Sequence, residues 1–446
     1  MRGFSCPNPF FKGKNVSTVY KILLCDVLNP ITDKKAKLTR QAAIVLKSSK
    51  AGFKIHKIGP SNKIVAAFPG ATIVDRTGQM ALPGFFDMHF HWVQDDVRLM
   101  PKDSLLEWLS KYTWPYEMKF KSRKYSKEKA KKFSKELLSV GTLGGAVYAS
   151  IHGHTVDDAL ENFTGNYIAG NVLMTMNSPK GLSQTREQAL KLIESLSAKW
   201  GKAYAMTPRF APTTHPDVMK AGAWLAKKRG SFIQTHLSES KDEINYVLGL
   251  YKDHQGFENI PTYTDIYKKC GMLGKKTIMG HGIHLSADEL ATLSKTGTVI
   301  AHCPTSNAPV KDKGLGSGLF NFKKIEKAGV RWALGSDIGG GPFLSMFDVM
   351  QSFVTQNKKA KLTGATYTKA LYRATKAGAE VLGVHKKMGC LDEGMLANLI
   401  LVDSPKGKNA EEALVQLHKP FHKKREDYLN LVNETYYAGE SVYSKI

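Results

Sequence analysis

The sequence predicts an α/β fold, a (β/α)8 TIM-type barrel with a small β-sandwich domain formed from both chain ends. In the middle of the chain, apolar β-prone segments alternate eight times with helix-like segments, and short β-like segments occur at both ends. Polar residues follow the ends of the predicted barrel strands. Because such an alternation is typical of parallel barrels, we expect one barrel domain at 80–384, flanked by two parts of the β domain at 1–79 and 385–446.

Eight segments have the apolar, β-prone composition of buried parallel strands. They lie at 80–91, 142–150, 167–174, 203–210, 232–238, 277–285, 299–304 and 332–338. Helix-like segments in the gaps lie at 185–199, 216–229, 286–295 and 319–328. An open doubly wound sheet is the alternative, but it needs a glycine-rich phosphate loop after its first strand. Here the first strand ends in histidines, which favours the barrel.

The two chain ends have a β-like pattern of their own. Segments 19–27, 41–46 and 64–68 near the start are separated by turn-forming residues. Near the end, 397–402 is apolar and 436–443 is typical of a hairpin. We expect these segments to pair into one small β domain.

The composition is that of a folded globular protein, with 42% hydrophobic and 23% charged residues among 446. The formal net charge of +25 is unusual, and such a field can favour anionic partners. The lysines are spread along the chain and no nucleic-acid-binding motif accompanies them. We therefore interpret the charge as a lysine-rich surface and expect no nucleic-acid partner.

The cysteines and the apolar segments indicate the compartment. Five scattered cysteines without a C-x-x-C pair argue against a disulfide framework and against a cysteine-rich zinc site. The first residues lack the apolar run of a signal peptide, and no segment approaches the roughly 20 apolar residues of a membrane helix. We expect a cytoplasmic protein without a membrane partner.

Metal-binding residue types end several of the predicted strands. His89 and His91 lie two apart on the first strand and therefore share a face. His236 ends the fifth strand, His281 the sixth, and Asp337 the eighth. A single histidine here would ordinarily be a hydrogen-bonded structural residue. Because the carboxyl ends of barrel strands meet at one mouth, the whole set favours a zinc site with three imidazoles and a carboxylate.

Three other histidines lie near these positions. His152 and His154 also form an H-x-H pair, but they follow the second strand and the glycine between them weakens a strand interpretation. We expect a rim or structural role for this pair. His284, three residues after the sixth-strand histidine, stays ambiguous.

The segment LPGFFDMHFH at 82–91 resembles the first-strand signature of the amidohydrolase superfamily. The histidines of strands five and six and the aspartate of strand eight follow in that superfamily's order. Members that lack a lysine ligand on strand four use one metal ion, and no lysine occurs in 206–210. The resemblance thus implies a mononuclear site.

Within the superfamily the chain resembles the guanine deaminases between about residues 80 and 350. The matching segments are HWVQ at 91–94, LLEWLSKYTWP at 105–115, TPRF at 207–210, HLSE at 236–239, HCPTSN at 302–307 and GSDIGGG at 335–341. The second and third of these are the discriminating ones. Trp92 and the segments 95–102 and 311–316 depart from the family pattern and border the expected pocket.

The resemblance implies a site with one Zn²⁺ per subunit, with Fe²⁺ as the alternative, because histidine and carboxylate ligands do not by themselves select zinc. The implied metal ligands are His89, His91, His236 and Asp337. The implied catalytic residues are Glu239 as proton shuttle, His281 as hydrogen-bond donor to the attacking oxygen, and Asp337. The implied contacts to a small purine substrate are His91, Trp92, Val93, Gln94, Arg209, Phe210, His236, Glu239 and Asp337. Trp114 is a further candidate for packing on the ring, and a homodimer is expected.

Two alternatives stay open. Another aminohydrolase or chlorohydrolase of the superfamily would act on a triazine, an oxidised purine or an adenosine-like substrate. The combination of Gln94 with Arg209 and Phe210 disfavours it. A basic nucleic-acid-binding protein with an inactive barrel belongs to a different class, and the complete ligand set with Glu239 disfavours that function.

Overall fold

A computed structural model of the chain describes residues 18–102, 105–422 and 424–445. The chain divides into two compact units. The first comprises the described parts of Met1–Phe85, Leu138–Leu143 and Thr366–Ile446, and the second comprises the described parts of Phe86–Leu137 and Gly144–Ala365. The domain boundaries expected from the sequence stay predictions. Among the described helices, none has the length and apolarity needed to cross a membrane.

The described residues form fifteen strands, which fall into two sheets. In chain order they are β1 (Tyr20–Thr32), β2 (Lys35–Ser49), β3 (Gly52–Pro60), β4 (Thr72–Pro83), β5 (Phe85–His91), β6 (Thr142–Ala149), β7 (Asn166–Leu173), β8 (Ala205–Pro208), β9 (Phe232–Leu237), β10 (Thr277–His281), β11 (Val299–His302), β12 (Arg331–Leu334), β13 (Leu399–Asp403), β14 (Glu434–Tyr437) and β15 (Glu440–Ser444).

The helices of the described residues lie mostly between the barrel strands. In chain order they are α1 (Ser61–Ala67), α2 (Leu105–Trp108), α3 (Trp114–Glu117), α4 (Arg123–Ser139), α5 (Gly153–Asn162), α6 (Arg186–Trp200), α7 (Pro216–Arg229), α8 (Lys241–Tyr251), α9 (Tyr263–Lys269), α10 (Ala287–Thr296), α11 (Pro304–Asn307), α12 (Phe322–Lys327), α13 (Met346–Lys359), α14 (Tyr367–Ala374), α15 (Lys376–Val381) and α16 (Ala410–His418). A π-helical turn, Leu109–Thr113, joins α2 to α3.

The first unit contains a seven-stranded mixed sheet in the order β15-β14-β13-β4-β1-β2-β3. Strands β1 and β4 are parallel and the other neighbours are antiparallel. Alternate residues such as Leu23, Ile44 and Leu399 bury one face of the sheet in a common apolar core. Because β13 pairs with β4, the predicted joining of both chain ends in one β domain is confirmed, and so is the terminal hairpin of β14 and β15.

The predicted strand at 64–68 is wrong, because this segment lies in and just after the short helix α1. Its β-branched residues suit a strand locally. Within the helix, however, Ile64 is the buried residue, and it packs against Ile22, Ala43 and Val45 on the second face of the sheet. Tertiary packing therefore outweighs local propensity here.

The second sheet is an eight-stranded barrel in the order β5 to β12, and the predicted barrel fold is confirmed. Each of its strand pairs with a determined register is parallel. The barrel closes after β12, where the Asp337 N–H donates to the His89 carbonyl at 2.7 Å and the His91 N–H donates to the Ile338 carbonyl. The C-terminal ends of the first and last strands are thereby held together.

The first predicted barrel strand, 80–91, is two strands. It breaks at Gly84, so that 80–83 belong to β4 in the mixed sheet and 85–91 to β5 in the barrel. A side chain at Gly84 would come within 2.5 Å of the Leu143 side chain, which is why the break occurs at a glycine. Because the apolar pattern continues on both sides of Gly84, the sequence does not predict the break.

The predicted helices are confirmed, and one of them, α7, has the predicted bounds. Capping boxes begin α6 at Thr185 with Gln188 and α10 at Ser286 with Glu289. In each box the two side chains satisfy backbone N–H groups that the first turn of a helix leaves free. These local signals account for the agreement at the helix starts.

We expect Asp87→Ala to lower the free energy of unfolding by about 3 kcal/mol, because it removes the acceptor of three hydrogen bonds. The carboxylate of Asp87 is fully buried and accepts from the Ser336 N–H at 2.8 Å, from the His89 N–H at 3.3 Å and from the Ser336 hydroxyl. Urea denaturation measures the change, and Asp87→Asn, which keeps one acceptor oxygen, should lose less. A difference under about 0.5 kcal/mol between Asp87→Ala and the unaltered protein would contradict this role.

Candidate active site

Imidazole and carboxylate groups from four strand ends converge at the C-terminal mouth of the barrel. His91 Nε2 lies 3.1 Å from His236 Nε2 and 3.7 Å from Asp337 Oδ1. His89 Nε2 lies 3.3 Å from the same Asp337 oxygen. Ligand atoms of His89, His236, His281 and Asp337 all lie within 4.8 Å of one another. The predicted ligands His89, His91, His236 and Asp337 are therefore brought together, with His281 beside them.

The hydrogen bonding of these histidines fits a bound cation. Both ring nitrogens of His89 and the Nδ1 atom of His91 are buried without a hydrogen-bond partner among the residues that the structure describes. His236 donates from Nδ1 to the Arg209 carbonyl at 2.6 Å, so its Nε2 lone pair faces the cluster. Unpartnered buried nitrogens are costly unless something else satisfies them. A divalent metal ion bound at this cluster would satisfy one nitrogen of each ring, which for His89 is Nε2, the atom beside Asp337.

The electrostatics of the cluster favour the ligand forms of its members. Burial, reinforced by the neighbouring imidazoles, holds the pKa of His91 and His236 well below the ordinary value, and burial also lowers the pKa of His89. Burial alone would raise the pKa of Asp337, but the adjacent imidazoles, His89 first and then His281 and His91, lower it. Neutral imidazoles beside an ionised carboxylate are the ligand states that divalent metals require.

His281 differs from the other histidines. Its Nδ1 lies 3.0 Å from Asn307 Nδ2, and an amide N–H can only donate, so a proton of the neutral ring belongs on Nε2. That atom lies 3.5 Å from Glu239 Oε2 and 3.9 Å from Asp337 Oδ2. Burial alone would lower the pKa of His281, but these two carboxylates raise it. The ring is therefore suited to donating a hydrogen bond at the mouth of the barrel.

Glu239 lies just past the end of β9 and is held from two sides. Its N–H donates to Glu243 Oε2 at 2.7 Å, and Glu243 in turn forms a capping box with Ser240 at the start of α8. Its Oε1 accepts from the Ser317 hydroxyl at 3.0 Å. Burial raises the pKa of Glu239. The charge of Asp337 raises this pKa further, whereas His281 lowers it. A carboxyl group with a raised pKa is suited to moving protons near neutral pH.

Three of the strand ends have a strained backbone. Ser238, His281 and Asp337 have φ values of 49°, 70° and 51°, a left-handed conformation that side chains other than glycine rarely adopt. Such conformations cost of order 1–3 kcal/mol each and cluster at active sites. Two of these residues, His281 and Asp337, belong to the cluster at the barrel mouth, and Ser238 precedes Glu239.

The cluster opens into a pocket of about 450 Å³, part of which is open to solvent. Its volume is within the range of small-molecule sites. The lining residues are His91, Gln94, Trp108, Leu109, Arg209, Phe210, His236, Glu239, Glu243, His281, Leu315, Asp337 and Gly340. The pocket therefore joins the candidate metal ligands to the predicted purine contacts Gln94, Arg209 and Phe210.

Several residues singled out in the sequence do not line this pocket. Trp92 is buried against Phe120 and Phe163, at ring-centroid distances of 5.1 and 5.9 Å. Its neighbour Val93 is also buried outside the lining set. Trp114 packs against an apolar cluster that contains Tyr148. Trp92 and Val93, which were predicted to contact the purine, and Trp114, which was predicted to pack on its ring, therefore lie outside the pocket lining.

His152, His154 and His284 also lie outside the lining. The rings of His152 and His154 stack on each other at 5.6 Å, and His154 Nε2 lies 2.9 Å from the Phe120 carbonyl. His284 Nε2 lies 2.8 Å from the carbonyl of Ser317. His284 thus contacts Ser317, whose hydroxyl donates a hydrogen bond to Glu239.

Sequence reasoning missed the buried Glu117, which contacts two of the predicted purine contacts. It accepts from Gln94 Nε2 at 2.7 Å, and both of its oxygens accept from Arg209 Nη1, at 3.0 and 2.8 Å. The prediction from sequence also missed the lining residues Trp108, Leu109, Glu243, Leu315 and Gly340. The available signals were that Trp108 and Leu109 lie in the family-like segment 105–115, Gly340 in the family-like segment 335–341, and Leu315 in the divergent segment 311–316.

Comparison with known proteins agrees with this geometry. The model of the amidohydrolase family matches residues 80–426. A guanine deaminase of Escherichia coli is 36% identical over 339 residues, which cover 74% of each chain.

Two solved structures are also similar. That of the E. coli guanine deaminase has a TM-score of 0.83 and 27% identity, covering 96% of this chain and all of the other. A guanine deaminase from C. acetobutylicum, with guanine bound in its active site, has a TM-score of 0.77 and 25% identity, covering 95% of this chain and all of the other. The chain therefore belongs to the amidohydrolase family and, within it, to the guanine deaminases.

Proposed function

We propose that the protein hydrolyses guanine to xanthine and ammonia, with one zinc ion held by His89, His91, His236 and Asp337. The observation that carries the proposal is that His91, His236 and Asp337 line one pocket together with Gln94 and Arg209, while His89 lies beside Asp337. The activity named for the similar E. coli enzyme, and the guanine bound in the C. acetobutylicum structure, support the same substrate.

The donor set suits the proposed metal. Three imidazoles and one carboxylate are ligands that zinc accepts. When bound, such an ion lowers the pKa of a water towards about 7 and so supplies a nucleophile at neutral pH. Asp337 would hold the ion and accept a proton from the attacking water.

In the proposed reaction a water oxygen forms a bond to ring carbon C2, and the bond from C2 to the exocyclic amine breaks. Both protons of the water are transferred: Glu239 passes the first to the adjacent ring nitrogen, and the second, which Asp337 would hold, reaches the leaving amine through Glu239, so that the amine departs as ammonia. His281 donates a hydrogen bond from Nε2 to the attacking oxygen and stabilises its developing charge. The Ser317 hydroxyl and the Glu243 carboxylate orient Glu239 for this transfer.

The opposite wall of the pocket would bind the purine ring. Gln94 offers both a donor and an acceptor, and Arg209 offers a planar set of donors for the ring carbonyl. Phe210, which lines the pocket beside Arg209, would pack on the face of the ring. The expected homodimer and cytoplasmic location stay predictions.

We expect the purified protein to release ammonia from guanine and to contain about one zinc ion per chain. The assay compares guanine with adenine, adenosine and melamine, and elemental analysis gives the metal. Release of ammonia from one of the other compounds but not from guanine would contradict the proposed substrate. Iron in place of zinc would contradict the proposed metal while leaving the substrate proposal intact.

A further inference from the structure

Glu117 lies behind the wall of the pocket and contacts two residues of that wall. It ends α3, its side chain is fully buried, and it is not itself among the lining residues. Arg209 is also nearly fully buried, so the two charges form a desolvated ion pair at 2.8 Å. Gln94 Nε2 donates to the same carboxylate at 2.7 Å. One buried acid thus holds both polar groups of the purine-facing wall.

The charge of Glu117 determines which way the Gln94 amide faces. A carboxylate paired with a guanidinium only accepts hydrogen bonds, so the amide nitrogen of Gln94 must face Glu117. The amide oxygen, Oε1, is then directed away from Glu117. A reversed amide would place two acceptors against each other in a buried position, which is costly.

The same carboxylate fixes the Arg209 guanidinium. Nη1 is the only guanidinium atom with a hydrogen bond among the described residues, and both of its bonds go to Glu117. A guanidinium has five N–H donors in a rigid plane. The donors on Nε and Nη2 are therefore left for a ligand at the position where Arg209 lines the pocket.

We propose that Glu117 is a positioning residue that sets the hydrogen-bond polarity of the purine site. It gives the site an acceptor at Gln94 Oε1 beside the donors of Arg209. Guanine presents an N1–H donor beside its O6 acceptor, whereas a 6-aminopurine presents an N1 acceptor beside an N6 donor. The orientation that Glu117 imposes fits the first edge and opposes the second. The proposal rests on the proposed function, because it names what makes that site prefer a 6-oxopurine.

The test compares guanine with 2,6-diaminopurine, which has the same amine on C2 but the reversed edge at C6 and N1. In Glu117→Gln the neutral amide can donate as well as accept, so Gln94 is free to turn. We expect the ratio of kcat/KM for guanine over 2,6-diaminopurine to fall by about tenfold or more, and most of the loss on guanine to appear in KM. Zinc content should not change.

The matched control is Glu289→Gln. Glu289 is also buried and accepts from Thr264 and Ser286, and none of its hydrogen bonds within the described part of the chain involves a lining residue of the pocket. This variant should keep the substrate ratio of the unaltered protein. In a Gln94→Ala background, Glu117→Gln should change the ratio less than it does alone, because the two residues act as one unit.

A folded Glu117→Gln variant with an unchanged ratio would overturn the proposal, and so would full additivity with Gln94→Ala. If Glu117→Gln does not fold, Glu117→Asp is the second variant. Glu117→Asp keeps the charge but shortens the reach to Gln94, so we expect the same fall in the ratio of kcat/KM for guanine over 2,6-diaminopurine. An unchanged ratio in this folded variant would overturn the proposal. Failure of the proposed function is distinguishable, since the unaltered protein would then release no ammonia from guanine.

Discussion

Glu239→Gln should retain the fold and the metal but lose about 10²–10⁴-fold in kcat. The amide keeps the size of the side chain but cannot accept and return a proton. The carboxyl group has the position this transfer needs, with one oxygen 3.5 Å from His281 Nε2 and the other held by Ser317. Steady-state kinetics with guanine measure the loss, and elemental analysis confirms that zinc stays bound.

The control for this variant is Glu289→Gln, which replaces a buried glutamate at the start of another barrel helix. It should keep kcat within a small factor of the unaltered value. A Glu239→Gln protein with near-normal turnover would refute the proton-transfer role. A Glu239→Gln protein without zinc would show instead that the charge of Glu239 serves metal binding.

His236→Ala should abolish zinc binding and turnover together. Its Nε2 is 3.1 Å from that of His91, and its Nδ1 is anchored on the Arg209 carbonyl. Removing one of four ligands leaves an incomplete set, and metal affinity depends on the whole set. Zinc per chain should fall from about one to near zero, and ammonia release from guanine should fall below detection.

His154→Ala is the matched control, because it removes a histidine of the second H-x-H pair, which lies outside the pocket lining. That variant should keep both zinc and activity. If His236→Ala retained stoichiometric zinc, the proposed ligand set would be wrong. His281 would then be the first replacement to test, because its ligand atom lies within 4.8 Å of those of His89 and Asp337.

The sequence predicts the barrel and its mouth well because both follow from short-range patterns. His89 and His91 show a two-residue spacing that only an extended strand places on one face. His236 and Asp337 each follow a short apolar segment, and the geometry of parallel barrels brings such strand ends together. The capped starts of α6 and α10 are equally local. In each case the information lies within a few residues.

The sequence does not predict features that depend on distant partners. Glu117 lies at the end of a short helix between Tyr116 and Met118, and a glutamate is ordinarily exposed. Its burial depends on Arg209, 92 residues away in sequence. The break at Gly84 depends on the Leu143 side chain, and the place of Trp92 depends on Phe120 and Phe163. No periodicity within these segments contains that information.

The hydrogen bond from His236 to the carbonyl of Arg209 has a consequence for how such enzymes diversify. A main-chain carbonyl is supplied by every amino acid, so the contact that orients His236 does not depend on which side chain residue 209 carries. The side chain of the same residue lines the pocket. Mutation can therefore exchange what the pocket accepts while the reactive centre keeps its alignment. A directed-evolution library at residues 94, 117 and 209 would test new ring substrates while the metal ligands and Glu239 stay unchanged.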